Sequence, residues 1–112
     1  MNCKVRPTSY FLKEVKRLSK RYKSLKDDLD GLVASLHENP LQGVDLGGGL
    51  HKLRMAVTSK GKGKRGGARV ITYVLLVAKE GADVLLLAIY DKSERENISD
   101  AELLALKKEA GL

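Results

Sequence analysis

The chain has 112 residues, 43% of them apolar and 31% charged, with a formal net charge of +7, which fits one folded domain over residues 1–112 and excludes a disordered chain. The single cysteine, Cys3, excludes an internal disulfide and a cysteine-rich metal site. The first residues lack the apolar run of a secretory signal, and the longest such run, Val84 to Tyr90, is about a third of a membrane span, so we expect a cytoplasmic protein without membrane contact.

The N-terminal third predicts a short strand at Lys4–Arg6 followed by a helical hairpin. Thr8 or Ser9 can cap the first helix, and Ser24 can cap the second. Asn39-Pro40 ends the second helix. Apolar residues recur at helical spacing in both segments, at Phe11, Val15, Leu18 and Tyr22 and then at Leu25, Leu29, Leu32, Val33 and Leu36.

The remainder predicts three strands and a last helix. Leu53, Met55 and Val57 alternate with polar residues, as in a half-buried strand. The following elements are an irregular basic loop over Lys60–Gly67, a strand over Arg69–Ala78, a turn over Glu80–Asp83, a strand over Val84–Tyr90 and a helix from Ser99. The predicted fold class is α+β, a small antiparallel meander with the helical hairpin packed on one face and a C-terminal helix. Lys52 and Arg54 should then lie on the opposite, uncovered face.

The positive charge is concentrated in one part of the chain. From Leu46 to Lys79, which we call the basic segment, there are eight basic residues and no Asp or Glu, whereas the remainder carries 13 basic against 14 acidic residues. A localised excess of this kind indicates a polyanionic partner, above all a nucleic acid. An anionic membrane is disfavoured because the segment is too rich in glycine for an amphipathic helix.

The sequence contains none of the common catalytic constellations. There is no Cys/His pair of plausible spacing, no HExxH motif and no Walker spacing around Gly61–Lys64, so we expect neither metal nor cofactor. RNA cleavage needs none of these constellations, because the 2′-hydroxyl of the substrate supplies the nucleophile. Arginine can then stabilise the phosphoryl oxygens, and clustered lysines can carry protons. The alternative interpretation is that the basic loop is only solvated and binds phosphates without specificity. His37 is expected at the surface.

Three stretches strongly resemble the RelE/HigB toxin superfamily, and within it the HigB-like branch. They are Gly49-Leu50-His51-Lys52-Leu53-Arg54, the run from Ser59 through Lys60-Gly61-Lys62-Gly63-Lys64-Arg65 to Ile71, and Leu87-Ala88-Ile89-Tyr90-Asp91-Lys92-Ser93-Glu94. The resemblance covers nearly the whole chain. It implies a type II toxin that cleaves mRNA at the ribosome and inhibits translation. It also implies neutralisation by a cognate antitoxin, with operator DNA bound only through the antitoxin complex.

Site residues follow from the resemblance position by position. Lys52 and Arg54 match the family's basic pair, and Arg69 matches its arginine at the start of the next strand. Arg54 and Arg69 would stabilise the phosphate, and Lys52 would assist proton transfer. Lys92 or Arg95 matches the basic residue after the last strand, and RNA would be gripped by Lys60, Lys62, Lys64 and Arg65.

One position departs from the family pattern. The RelE type has a tyrosine where this chain has Ser99, and we expect Tyr90, or else His51, to replace it. Two alternatives to the endoribonuclease therefore remain. One is a non-catalytic RNA or ribosome binder derived from such a toxin. The other is a ParE-like toxin that poisons DNA gyrase, against which the basic segment argues.

Overall fold

Five strands form a single sheet in the computed structural model, which describes residues 2–78 and 81–112. The sheet order is β1-β5-β4-β3-β2. Strands β2 to β5 form an antiparallel meander, and β1 lies parallel to β5 at the edge. The elements are β1 Asn2–Pro7, α1 Ser9–Ser19, α2 Leu25–Glu38, β2 Val44–Gly47, β3 Leu50–Met55, a 3-10 turn Thr58–Lys60, β4 Ala68–Ala78, β5 Gly81–Asp91 and α3 Asp100–Glu109. The predicted α+β class is confirmed.

The helical hairpin forms where the leucine spacing predicts it. Thr8 is the N-cap of α1, and its hydroxyl accepts a hydrogen bond from Phe11 N at 3.2 Å. Ser24 precedes α2, but its side chain makes no capping bond. Its hydroxyl donates instead to Asp28 Oδ2 at 2.8 Å. Ser24 therefore occupies the predicted N-cap position, but the predicted capping hydrogen bond does not form. The buried residues of the hairpin are Phe11, Val15, Leu18, Leu25, Leu29, Leu32 and Leu36.

Helices cover both faces of the sheet. Leu53, Met55 and Val57 pack with the hairpin in one core, as predicted. The opposite face is not left uncovered, which corrects the sequence expectation. There α3 contributes Leu103 to a second core, whose other buried members are Leu50, Ile71, Leu87, Ala88, Tyr90 and Ile98. The continuous apolar run of β5 has its physical reason here, since a strand covered on both faces needs no polar alternation.

Two strand boundaries differ from the sequence prediction. β5 begins at Gly81, so Gly81, Ala82 and Asp83 belong to a strand and not to the predicted turn. Glu80 of that turn and Lys79 of the basic segment lie outside the described residues. β2 was not predicted, because the alternation of Val44, Asp45 and Leu46 is too short to indicate a strand; in the fold this edge strand is exposed throughout.

The basic loop is irregular, as predicted, apart from its first residue, Lys60, which ends the 3-10 turn. Among the described residues, no helix is long and apolar enough to cross a membrane.

Candidate functional site

Arg54, Arg69 and Tyr90 lie side by side across three strands. Arg54 on β3 pairs with Arg69 on β4, and Arg69 pairs with Tyr90 on β5. Directly opposed residues project from the same face of a sheet, so the three side chains form one row, which we call the charged row. Lys52, two residues before Arg54, projects from that face as well. The alternation of β3 therefore turns the basic pair away from the hairpin core.

Arg69 is buried, with 6% of its surface exposed. Its guanidinium donates hydrogen bonds to the carbonyls of Lys64 at 3.0 Å, Arg65 at 3.1 Å and Ala68 at 3.3 Å. These bonds fix the end of the basic loop against β4 without neutralising the charge. Burial, and then the nearby charge of Arg54, lower the pKa of Arg69. A fixed, desolvated cation beside a second cation favours binding of an anion.

Tyr90 carries a buried hydroxyl at the end of the charged row. The residue is 5% exposed, and its oxygen has no hydrogen-bond partner within the described part of the chain. Burial raises the pKa of Tyr90, against the opposing effect of Arg69 and Arg95. The phenol is therefore protonated at neutral pH.

The segment after β5 brings further cations to the row. Arg95 lies over the Tyr90 ring, with its guanidinium carbon 5.5 Å from the centroid. Glu102 of α3 holds Arg95 at 2.7 Å, and Lys92 donates to the carbonyl of Glu96 at 2.8 Å. Lys52 Nζ donates to Asn97 Oδ1 at 3.3 Å, a contact that no pattern in the sequence indicates.

A shallow cleft adjoins the row on the side of β3. Its volume is about 320 Å³, and its cations are Lys52, Arg54 and Lys64, with Gln42, Gly43, Val44 and Leu53 completing the walls. Lys62, Lys64 and Arg65 of the basic loop are exposed and free to contact a ligand. Lys52, Arg54 and Lys64 thus lie together beside the charged row and form a surface suited to a phosphodiester.

Lys60 does not join this group. Its side chain is only 7% exposed, and Nζ donates to Asp91 Oδ1 at 2.6 Å and to Ser93 Oγ at 3.3 Å. The ammonium also lies 5.3 Å from the ring centroid of Tyr22. Sequence reasoning assigned no role to Asp91, and its position at the end of β5 was the only signal.

The histidines lie away from the charged row. His51 is buried and shares a different cleft with Gly47–Gly49, Val74 and Leu76. His37 is exposed, as predicted, and Nδ1 lies 2.9 Å from the carbonyl of Cys3. Within residues 2–78 and 81–112, no group of three or more His, Cys, Asp or Glu side chains could hold a metal ion.

Ser99 caps α3 in a capping box with Glu102. Its hydroxyl accepts from Glu102 N at 3.2 Å, and the Glu102 carboxylate accepts from Ser99 N at 3.1 Å. A helix N-cap selects serine over tyrosine, so the cap accounts for the residue at this position.

Comparison with known families gives one match over most of the chain. A family model described as the RelE toxin of the RelE/RelB toxin–antitoxin system matches residues 9–112.

Proposed function

Since the chain belongs to the RelE toxin family of toxin–antitoxin systems, we propose that it inhibits translation by cutting mRNA on the ribosome. Membership of this family implies an antitoxin partner. The observation that carries the proposal is the charged row, in which Arg54 and Arg69 stand directly opposite each other beside the exposed cations of the basic loop. We assign the chain to the HigB-like branch and to the cytoplasm, with operator DNA bound only through the antitoxin complex.

The reaction needs no atom that the RNA does not supply. The 2′-oxygen loses its proton and attacks the adjacent phosphorus, and the bond from phosphorus to the 5′-oxygen breaks. The 5′-oxygen then takes up a proton, which leaves a 2′,3′-cyclic phosphate and a 5′-hydroxyl. The protein has to position the strand, stabilise charge on the phosphoryl oxygens and move two protons.

Each of these tasks has a candidate side chain. Arg54 and Arg69 stabilise the phosphoryl oxygens, because guanidinium groups bind phosphate in a bidentate manner. Lys52 assists removal of the 2′-proton. Tyr90 is protonated at neutral pH, since burial raises its pKa, and is suited to protonate the leaving oxygen.

The remaining cations hold the RNA. Lys62, Lys64 and Arg65 are exposed along the basic loop and contact the phosphates of messenger or ribosomal RNA. Lys92 follows the last strand and lies with Arg95 at the far end of the charged row. Binding by these groups is electrostatic, so it should weaken steeply as salt is added.

The proposal is tested in a reconstituted translation reaction with primer extension on the mRNA. Unmodified protein should produce cuts within translated codons only when ribosomes are translating. Arg54→Ala, which removes an exposed arginine of the charged row, should abolish them. Arg6→Ala removes an exposed arginine on β1 and serves as the matched control that keeps the cuts. Intact mRNA and full protein synthesis with unmodified protein would refute the proposal.

Two observations favour the non-catalytic alternative. Ser99 is committed to capping α3, and the hydroxyl of Tyr90 is buried. A toxin-derived RNA binder would bind ribosomes without producing cuts. A ParE-like toxin would leave mRNA intact and inhibit supercoiling by DNA gyrase. Ribosome sedimentation and a supercoiling assay on the same preparation therefore separate the three activities.

A further inference from the structure

Lys60 and Asp91 form an ion pair that is sealed from solvent. Their side chains are 7% and 1% exposed, and Nζ lies 2.6 Å from Oδ1. The other donors to the carboxylate are Ser93 N at 2.9 Å, Ser93 Oγ at 2.7 Å and the hydroxyl of Tyr22. The donors thus come from three parts of the chain, namely Tyr22, Lys60 and Ser93. The carboxylate is therefore a junction between elements.

The junction connects the hairpin to both arms of the candidate site. Tyr22 lies between α1 and α2, and Lys60 begins the basic loop. Lys60 Nζ lies 3.4 Å from the carbonyl of Gly67, at the other end of that loop, and the same carbonyl accepts from Lys92 N at 3.1 Å. Asp91 itself stands between Tyr90 and Lys92. One buried charge pair thus fixes the base of the loop relative to the end of β5.

Protonation does not switch this junction in the physiological range. Burial alone would raise the pKa of Asp91, but hydrogen bonds from Lys60, Tyr22 and Ser93 hold it well below its usual range. The Asp91 carboxylate therefore stays ionised at neutral pH.

We propose that Lys60 and Asp91 are positioning residues for RNA cleavage, which hold the basic loop and the segment from Tyr90 to Arg95 in register around the charged row. The inference rests on the proposed function, and it assigns Lys60 a role other than phosphate binding. The two roles predict different effects of Asp91→Asn, one on the affinity for RNA and the other on the rate of cleavage. If Lys60 bound RNA, removing a competing carboxylate would strengthen binding. If the pair positions the site, the same change lowers the rate of cleavage.

The variants are Asp91→Asn, Tyr22→Phe and Lys60→Met, with Lys108→Met as the control that removes an exposed lysine of α3. Cleavage is measured with limiting toxin over a range of programmed-ribosome concentrations from below to above KM, so that kcat and KM are separated. We expect kcat to fall on the order of 10- to 100-fold in the first three variants, because small misplacements of reacting groups cost that much. KM should change less than about threefold, since the proposed phosphate contacts remain.

Salt dependence of binding to RNA provides the second readout. A lysine that neutralises one phosphate adds about 0.7 to 0.9 to the slope of log affinity against log salt. Lys60→Met should leave the slope unchanged, whereas Lys62→Met should reduce it by about that amount. A reduced slope in Lys60→Met, or an unchanged kcat in Asp91→Asn and Tyr22→Phe, would overturn the inference.

Amide hydrogen exchange of Lys92 is a readout that needs no cleavage. Its N–H is bonded to Gly67, so exchange should be faster in Asp91→Asn and in Tyr22→Phe while core amides of β4 stay protected. Unchanged exchange would overturn the inference even if Lys60→Met failed to fold. Absence of cuts with unmodified protein would instead refute the proposed function, so the two failures are distinguishable.

Discussion

Gly67 closes the basic loop at a point where the backbone leaves no room for a side chain. A Cβ atom built there would lie 2.1 Å from the carbonyl oxygen of Met55 and 3.0 Å from the amide nitrogen of Val57. Both neighbours are backbone atoms at the end of β3, so no side-chain rotation can relieve the overlap. In Gly67→Ala the start of β4 and the end of β3 must therefore move apart by about 1 Å. Protein interiors are packed as densely as crystals, so such a movement is costly.

The expected cost follows from this geometry. Overpacking typically destabilises by about 1–3 kcal/mol, and weakening the bond from Lys92 N to the Gly67 carbonyl adds about 1 kcal/mol. Gly31→Ala is the matched control, because Gly31 lies within α2 and a Cβ there meets nothing within 4 Å. Alanine is favoured over glycine in a helix by about 0.5–1 kcal/mol, so this variant should be more stable than the unmodified protein.

Urea unfolding at neutral pH measures both variants against the unmodified protein. The two free energies of unfolding should differ by about 2.5–5 kcal/mol, the sum of the separate effects, with a difference in Tm of about 4 °C for each kcal/mol. If Gly67→Ala unfolds within about 0.5 kcal/mol of the unmodified protein, the close approach to Met55 is not a constraint and the reasoning fails.

Three further predictions concern the site and the core. In urea titrations, Tyr90→Phe should change the free energy of unfolding by less than about 1 kcal/mol, because the buried hydroxyl has no partner among the described residues. The same variant should nevertheless abolish mRNA cuts. If cutting is retained, Tyr90 has no part in the mechanism. The hydrogen bond from Arg95 lowers the pKa of Glu102 to about 2, so the stabilisation that it gives α3 is complete at neutral pH and is lost as the pH falls toward 2. Carboxyl NMR shifts report this titration, and a midpoint near the ordinary glutamate value would contradict it. Leu18→Ala, at a residue 1% exposed in the hairpin core, should cost about 2–5 kcal/mol in urea unfolding, whereas a cost below 1 kcal/mol would mean that the hairpin is loosely packed.

The sequence predicted those elements whose apolar residues recur with one period. The hairpin leucines and the alternation around Leu53 identified α1, α2 and β3, because each of these elements buries one face. The same rule fails for β2, whose residues are exposed, and it gave no indication that α3 packs beneath β5. Periodicity reports whether a face is buried, but not which element covers it.

The candidate site was predictable as a set of charges and unpredictable as a set of contacts. The basic segment and the family resemblance selected Lys52, Arg54 and Arg69, which the fold brings to one face. They also selected Lys60, which, unlike the exposed Lys62, has Asp91 within reach. That carboxylate is 31 residues away along the chain, and no local pattern encodes such a contact.

Within the part of the chain that the structure describes, Lys60 and Arg69 are cations with buried side chains. They are stabilised in different ways, and the difference matches their proposed roles. Lys60 is neutralised by a carboxylate, which makes a permanent structural contact and leaves no charge for a ligand. Arg69 is held by carbonyl oxygens, which are neutral and so satisfy its donors while preserving its positive charge. Burying a cation without a counter-ion is costly, and the cost falls when an anion binds next to it. An RNA phosphate would supply that anion, so the energy required to bury Arg69 is recovered when substrate occupies the charged row.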